Sequence, residues 1–328
     1  MIAQWRSIWS AVPGTTDPLA PFGYVDIADG SDEAWGISMG GLRWAQSANY
    51  GAVPNPALPN VFNAAAHDSG DPWDADQCNQ KGKSCCVTKA QPLGTDCIGD
   101  HRGQWDYDGT NWFMGQVHPR PKAIIGRRLA QAAFSSAYGG SGASIGPVLA
   151  GCSLVDSSLK ITFNAQMLKG QSITWSSNAS AAKQNTALYV LVGSPFPAWA
   201  EENHHTDWHQ YKGPYENGNE VGVTGWVAID AVVTGANELT ADLSSLGGAT
   251  PTALRYAYGT GGWGAPFLDR MCCGPTVDVT LEPCPMDSCP LHSAADPSNP
   301  LSALPGVPFL AEITGGKCKC VAPQVCDE

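Results

Sequence analysis

Charge is scarce in this chain. Asp, Glu, Lys and Arg together make up 15 % of the 328 residues. Basic side chains are the scarcer kind, 18 Lys and Arg against 30 Asp and Glu, for a net charge of −12. Phosphate backbones and anionic lipid surfaces are held by clustered cations, so this balance argues against nucleic acid or an anionic membrane as partner. No apolar run approaches the ~18 residues that a membrane-spanning helix needs. The opening residues, Met-Ile-Ala-Gln-Trp-Arg-Ser, have neither the basic start nor the apolar stretch of a secretory leader. Cys-x-x-Cys pairs are also missing, which weakens a zinc-ribbon reading.

Cysteine itself is plentiful, at twelve. Local disulfides in an oxidising compartment explain that number better than a cytosolic setting does. Asn178-Ala179-Ser180 is a glycosylation sequon and points the same way. A secreted protein, or one in an endomembrane or lysosomal lumen, is therefore expected. A disulfide-rich composition without an entry signal further suggests that the native protein starts upstream of Met1. Apolar residues make up 43 %, with 37 Gly and 25 Pro. Such a chain can bury a sizeable core and favours turns and strands over a helical bundle.

One stretch organises the first half. Residues 115–122 read Gly-Gln-Val-His-Pro-Arg-Pro-Lys, and an amphipathic run to Tyr138 follows. Ile124, Ile125, Leu129, Ala132, Ala133 and Phe134 approach helical spacing, with Arg127 and Arg128 expected away from the apolar face. His118 then sits in a turn fixed by the helix behind it, a placement that suits a general base. A surface or capping histidine is the other reading.

Upstream, residues 1–10 read as an amphipathic helix, and Pro21 to Ala28 as a buried strand. Gly40 to Gln46 starts a short helix that puts Arg43 and Gln46 on one side. Val61 to Asp68 reads as a second strand with Asp68 at its C-terminal end, where open α/β sheets place their sites. Residues 70–112 hold four cysteines and little periodicity, as in a pinned surface insertion. Gly139 to Gly146 reads as a linker. Its Gly142-Ala143-Ser144-Ile145-Gly146 lacks the preceding strand and following helix that a nucleophile elbow needs. Gly170-Gln171-Ser172 likewise reads as structural, because Ile173-Thr174-Trp175 continues it as a strand.

Beyond 147, short apolar stretches recur between turns, at 159–163, 172–175, 187–192, 225–229, 238–243 and 253–258. That pattern predicts an antiparallel β-sandwich. His204, His205, Asp207 and His209 form a cluster on a polar loop, and no metal site is assigned to it. No cofactor is expected.

Several separated blocks together resemble the sialate O-acetylesterase family. They are Phe22-Gly23, Leu42-Arg43-Trp44-Ala45-Gln46, Tyr50 to Phe62, Val117 to Lys122, Pro251 to Gly259 and Leu304 to Phe309. They follow one another in family order along most of the chain, outside the cysteine-rich insertion. The resemblance implies an α/β fold: the C-terminal part of an SGNH-type (flavodoxin-like) hydrolase domain followed by an antiparallel β-sandwich domain. The expected divisions are 1–143 for the hydrolase part, 144–282 for the sandwich and 283–328 for a Cys/Pro-rich segment.

The family's activity is hydrolysis of O-acetyl esters of sialic acid by a serine nucleophile and a histidine base, without metal. His118 matches the catalytic histidine. The family's nucleophile block has no counterpart here and is expected upstream of Met1. Many members carry Asp two residues before the histidine, where this chain has Gln116. Asp68 is the candidate acid partner, and a structural turn aspartate is its other reading. Arg43 and Gln46 match a family pair near the site. Arg43 is a candidate for holding a sugar carboxylate in bidentate fashion, or else forms an internal salt bridge.

The implied partner is thus an O-acetylated sialic acid or another acetylated glycan. The family's oxyanion-donor blocks are likewise expected upstream of Met1; the loss of one such donor costs roughly 3–4 kcal/mol of transition-state stabilisation, so the 328 residues alone are expected to be nearly inert. A non-catalytic glycan-binding or structural product is the alternative, with Trp175, Trp199 and Trp208 as its binding residues.

Overall fold

The computed structural model describes residues 1–28, 39–68, 122–176, 188–193, 215–216, 219–220, 226–257, 289–295 and 302–320. His118, the 70–112 segment, Trp199, Trp208, Asn178 and the His204–His209 group lie outside the described residues.

The first part is a small α/β unit. Helix α1 (Ile2–Trp9) precedes strand β1 (Phe22–Val25), helix α2 (Met39–Gln46) and strand β2 (Val61–Ala64). Helix α3 (Lys122–Ala137) closes it. β1 and β2 pair in parallel, Phe22 opposite Val61 and Val25 opposite Ala64. Gly23 faces Phe62 in this register, and the Phe62 ring occupies the place a Cβ at Gly23 would take. α3 packs on β2 and β1, where Ala28, Ala64 and Ala66 let Ile125 approach closely.

Arg6 of α1 fixes the strand entrances. Its guanidinium donates to the carbonyls of Ala20, Pro59 and Asn60 at 2.7–3.1 Å. One buried cation thereby ties together the two loops that lead into β1 and β2. Trp5 stacks on Trp9 and leans on Phe22, while Ile8 and Trp9 stay exposed.

The second part is built on one large antiparallel sheet. Its strands are β3 (Leu149–Val155), β4 (Ser158–Phe163), β6 (Leu188–Leu191), β9 (Trp226–Ala228), β10 (Ala231–Gly235), β11 (Glu238–Asp242), β12 (Ala253–Tyr256), β14 (Phe309–Thr314) and β15 (Lys317–Cys320). They are ordered β10-β11-β4-β3-β15-β14-β12-β6-β9. β5 (Ile173–Trp175) pairs with β13 (Leu291–Ser293) beside it. A one-turn helix, α4 (Ala165–Leu168), is capped by the Asn164 side chain, which accepts from the Met167 N–H. A separate two-stranded ribbon joins β7 (Tyr215–Glu216) to β8 (Asn219–Glu220).

The edges of this sheet show that it is curled. β9 and β10 are its two outermost strands, yet only Ile229 and Asp230 separate them in sequence. Nine flat strands would hold the edges about 38 Å apart at ~4.8 Å per strand. Three Cα steps span at most about 11 Å. The sheet must therefore bend round until its edges meet. The bend encloses a core of Leu159, Ile161, Phe163, Leu188, Val190, Leu239, Leu254, Tyr256, Phe309 and Ala311. Of the stretches expected to form a sandwich, β4, β6, β9, β11 and β12 are thus hydrogen-bonded into one curled sheet, and β5 pairs with β13 instead. β14 and β15, from the Cys/Pro-rich C-terminal segment, run through its middle.

A disulfide joins Cys152 of β3 to Cys318 of β15, and Cys289 is also disulfide-bonded.

The two parts share a seam. Trp44 is buried and donates through Nε1 to the Pro308 carbonyl at 3.2 Å. Gln131 donates to the carbonyls of Ala143 and Ser302. Gly146 lies directly against the Pro305 carbonyl, where no Cβ fits. The 139–146 stretch expected as a linker is indeed irregular chain between α3 and β3, but it is packed rather than loose. Ala143 and Ile145 are both buried.

Candidate active site

The ionisable groups gather at the C-terminal ends of β1 and β2, the end where parallel sheets gather ligands. Asp26 follows the last residue of β1, and Asn63 lies on β2 beside it. The Asn63 amide donates to Asp26 Oδ2 at 2.6 Å. Asp26 is partly buried. Burial pushes its pKa up to about 6 against the opposing pull of Asn63 and the Arg43 charge. Burial, and then the Asp26 charge, raises the Tyr24 phenol above its ordinary range.

α2 brings Arg43 and Gln46 to the same place. Gln46 Oε1 accepts from the Ile27 N–H at 3.0 Å, and its amide donates to the Val25 carbonyl at 3.4 Å. Arg43, 4 % exposed, donates through Nε to the Ile27 carbonyl at 2.8 Å. The sequence pair thus meets at one strand end, anchored to backbone.

Beyond β2 the chain turns inward through His67 and Asp68, both buried. Arg128 of α3 grips Asp68 with two parallel hydrogen bonds, Nη1 to Oδ1 at 2.5 Å and Nη2 to Oδ2 at 2.6 Å. Arg128 Nη1 also donates to the Ala65 carbonyl at 2.9 Å. Burial alone would raise the Asp68 pKa. The guanidinium fork outweighs burial and holds the carboxyl below its ordinary range.

His67 stands between these charges. Burial drives its pKa down to about 3, Asp68 opposes this, and Arg43 and Arg128 reinforce it. The ring is neutral, with the Gly306 backbone beside it also opposing the shift. Tyr256 and His292 of the sheet side are close enough to act electrostatically with Asp68, so the group lies at the seam.

The expected burial of α3 needs correction. Arg128 does not point away from the core. Ile125, Arg128, Ala132 and Ser135 form the buried face, and Phe134 is 55 % exposed. A buried guanidinium is tolerable only when paired and hydrogen-bonded, and Asp68 and Ala65 do both. The sequence assigns no role to Asp26, which reads as part of a strand, or to His67, which carries no second feature to argue from. Their one signal is position: an acid closing a β-strand, and a histidine adjoining Asp68.

Among the described residues, no group of three or more His, Cys, Asp or Glu side chains is arranged to hold a metal ion. No helix among them is long and apolar enough to cross a membrane.

Fold and site together define a mixed α/β unit, its polar residues clustered at the strand ends, joined to a large curled antiparallel sheet. Sequence comparison then points to particular relatives. The chain is 24 % identical to human sialate O-acetylesterase over 317 residues, covering 96 % of this chain and 41 % of that protein. It is 29 % identical to the rat sialate O-acetylesterase over 145 residues, or 42 % of this chain and 19 % of that protein. The resemblance to the sialate O-acetylesterase family is thus supported by sequence, at low identity. The chain spans about two-fifths of the length of the human relative and about a fifth of the rat one. No family model matches it. A carbohydrate acetylesterase from Xanthomonas citri superposes with a TM-score of 0.49 at 18 % identity, covering 94 % of this chain and 44 % of that one.

Proposed function

We propose that this chain carries the histidine-bearing part of a carbohydrate O-acetylesterase, an SGNH-type unit joined to the curled β-sheet, acting on acetyl esters of sialic acid. The observation that carries the reading is the 24 % identity to a sialate O-acetylesterase along 96 % of the chain. Polar groups clustered at the C-terminal ends of parallel strands, where α/β hydrolases work, support it.

In this reading a serine outside these 328 residues attacks the acetyl carbonyl through Oγ. His118 takes the Oγ proton as the new C–O bond forms. Collapse of the tetrahedral intermediate breaks the bond to the sugar oxygen, which receives the proton back from His118. Water, activated by the same imidazole, then releases acetate from the serine.

Asp68 is the orienting acid. Its two oxygens each accept one bond from Arg128, but an ionised carboxylate has about four acceptor positions. Room therefore remains for an imidazole N–H, and the Arg128 fork keeps the carboxyl ionised for that bond. Arg43 supplies positive charge toward the sugar carboxylate, and Gln46 holds the strand end on which Arg43 is braced. The Cys152–Cys318 disulfide supports an oxidising compartment, secreted or lumenal.

The test is labelling of the protein isolated from its native source with a serine-reactive fluorophosphonate, read by intact mass. One adduct on a species that contains this chain is expected. A native species of 34.4 kDa that takes up no probe would sink the esterase reading and favour the glycan-binding one.

A further inference from the structure

A cleft of about 760 Å³ opens along α3, beside the face that carries Arg128. Arg127, Gln131 and Phe134 face it at helical spacing, next to the face that buries Arg128. The 169–172 turn after α4 forms the opposite wall through Lys169, Gln171 and Ser172. None of these residues belongs to the site described above.

Its chemistry differs from the rest of the molecule. The chain has 30 acidic residues against 18 basic ones, yet no Asp or Glu lines this cleft among the described residues. Both of its cations are exposed, and each is braced without a carboxylate. Arg127 Nε donates to the Ala123 carbonyl, and Lys169 Nζ reaches across to Ser135 Oγ at 2.8 Å. Guanidinium and ammonium N–H groups therefore remain for an anion.

The amide side chains ask for something else. Gln171 and Ser172, an amide and a hydroxyl, lie on that wall. Neutral groups of this kind suit a ligand with hydroxyl groups. The exposed Phe134 ring, propped against Gly140, adds an apolar ledge. Small-molecule clefts typically measure about 300–1,000 Å³, so this one has room for one or two pyranose rings.

We propose that this cleft is a second, non-catalytic binding site for a carboxylate-bearing sugar. Arg127 and Lys169 take the carboxylate, Gln171 and Ser172 the ring hydroxyls, and Phe134 an apolar ring face. The proposal does not rest on the esterase reading.

The test is titration calorimetry of the full chain with glucuronic acid, glucose and inorganic phosphate as probes, on the wild type and on Arg127→Gln. Arg127 lies exposed on a helix, so the variant is expected to fold, and an unchanged melting temperature checks that. A charged hydrogen bond contributes about 1.5–3 kcal/mol, so glucuronic acid should bind at least tenfold tighter than glucose. R127Q should remove most of that margin while leaving glucose unchanged. Phosphate should bind more weakly than glucuronic acid. His118→Ala should leave glucuronic acid binding intact even where it abolishes hydrolysis. Equal binding of glucose and glucuronic acid, an unaffected R127Q variant, or phosphate binding as tight as the sugar acid would each overturn the proposal.

Discussion

Asp68 and Arg128, 60 residues apart in sequence, form a fully buried bidentate ion pair that ties the end of β2 to α3. It crosses the interior of the α/β unit and fixes α3, the helix that follows His118 in sequence. Removing one partner leaves an uncompensated buried charge. Arg128→Met is therefore expected to cost about 3–5 kcal/mol, read from urea unfolding. Adding Asp68→Asn should return part of the loss, because the stranded carboxylate then disappears. A single variant as stable as the wild type would show that the pair is not a support of the fold.

Asp26 carries the opposite electrostatic sign. Its folded pKa, about 6, lies above the ordinary 3.8, so the folded state holds the extra proton between those values. Stability from this group is present below the lower value and is lost as pH rises through the upper one. Asp26→Asn mimics the protonated acid and still offers an oxygen to Asn63. It is expected to raise the melting temperature at pH 7.5 and leave it unchanged at pH 4. A variant less stable at pH 7.5 would mean that the ionised carboxylate is wanted there.

His67 responds in the other direction. Its folded pKa of about 3 lies below the ordinary 6.5, so the unfolded chain binds the proton first. Stability is complete above 6.5 and falls as pH drops toward 3. His67→Gln is similar in size and does not titrate. Denaturant midpoints of the variant at pH 7 and pH 5 should differ less than those of the wild type. An undiminished difference would assign the acid sensitivity to other groups.

The seam between the two parts offers a steric test. Gly146 packs on the Pro305 carbonyl with no space for a side chain. Gly146→Ala must push backbone from backbone and should cost about 1–3 kcal/mol, as overpacking typically does. A neutral effect would mean that the 302–308 strap yields easily and that the two parts are loosely joined.

These relationships were unevenly legible in the sequence. β4, β5, β6, β9, β11 and β12 fall where apolar stretches between turns placed them, and α1 and α3 follow their helical spacing. β3 was missed because Gly151 and a register shift interrupt its pattern. β10 was missed because it is an edge strand with Val232 and Val233 facing solvent. β14 and β15 lay in a stretch that Pro and Cys made look like a tail. Closure of the sheet depends on pairings far apart in sequence, which local patterns do not encode. Arg128 was assigned to the surface because spacing rules treat a charge as outward-facing, and only the position of Asp68 reverses that. Arg43 and Gln46 were legible as a pair on one helix side, but their anchoring to the end of β1 was not.

Acetate release from O-acetylated N-acetylneuraminic acid decides most directly whether His118 is the base of an acetylesterase. The rate should be compared between the native protein containing this chain and its His118→Ala form. A proton-transferring side chain contributes about 10²–10⁴-fold, so H118A should lose at least a hundredfold in rate while its melting temperature holds. Release of acetate at an undiminished rate by H118A, or no release by the native protein, would contradict the proposed function.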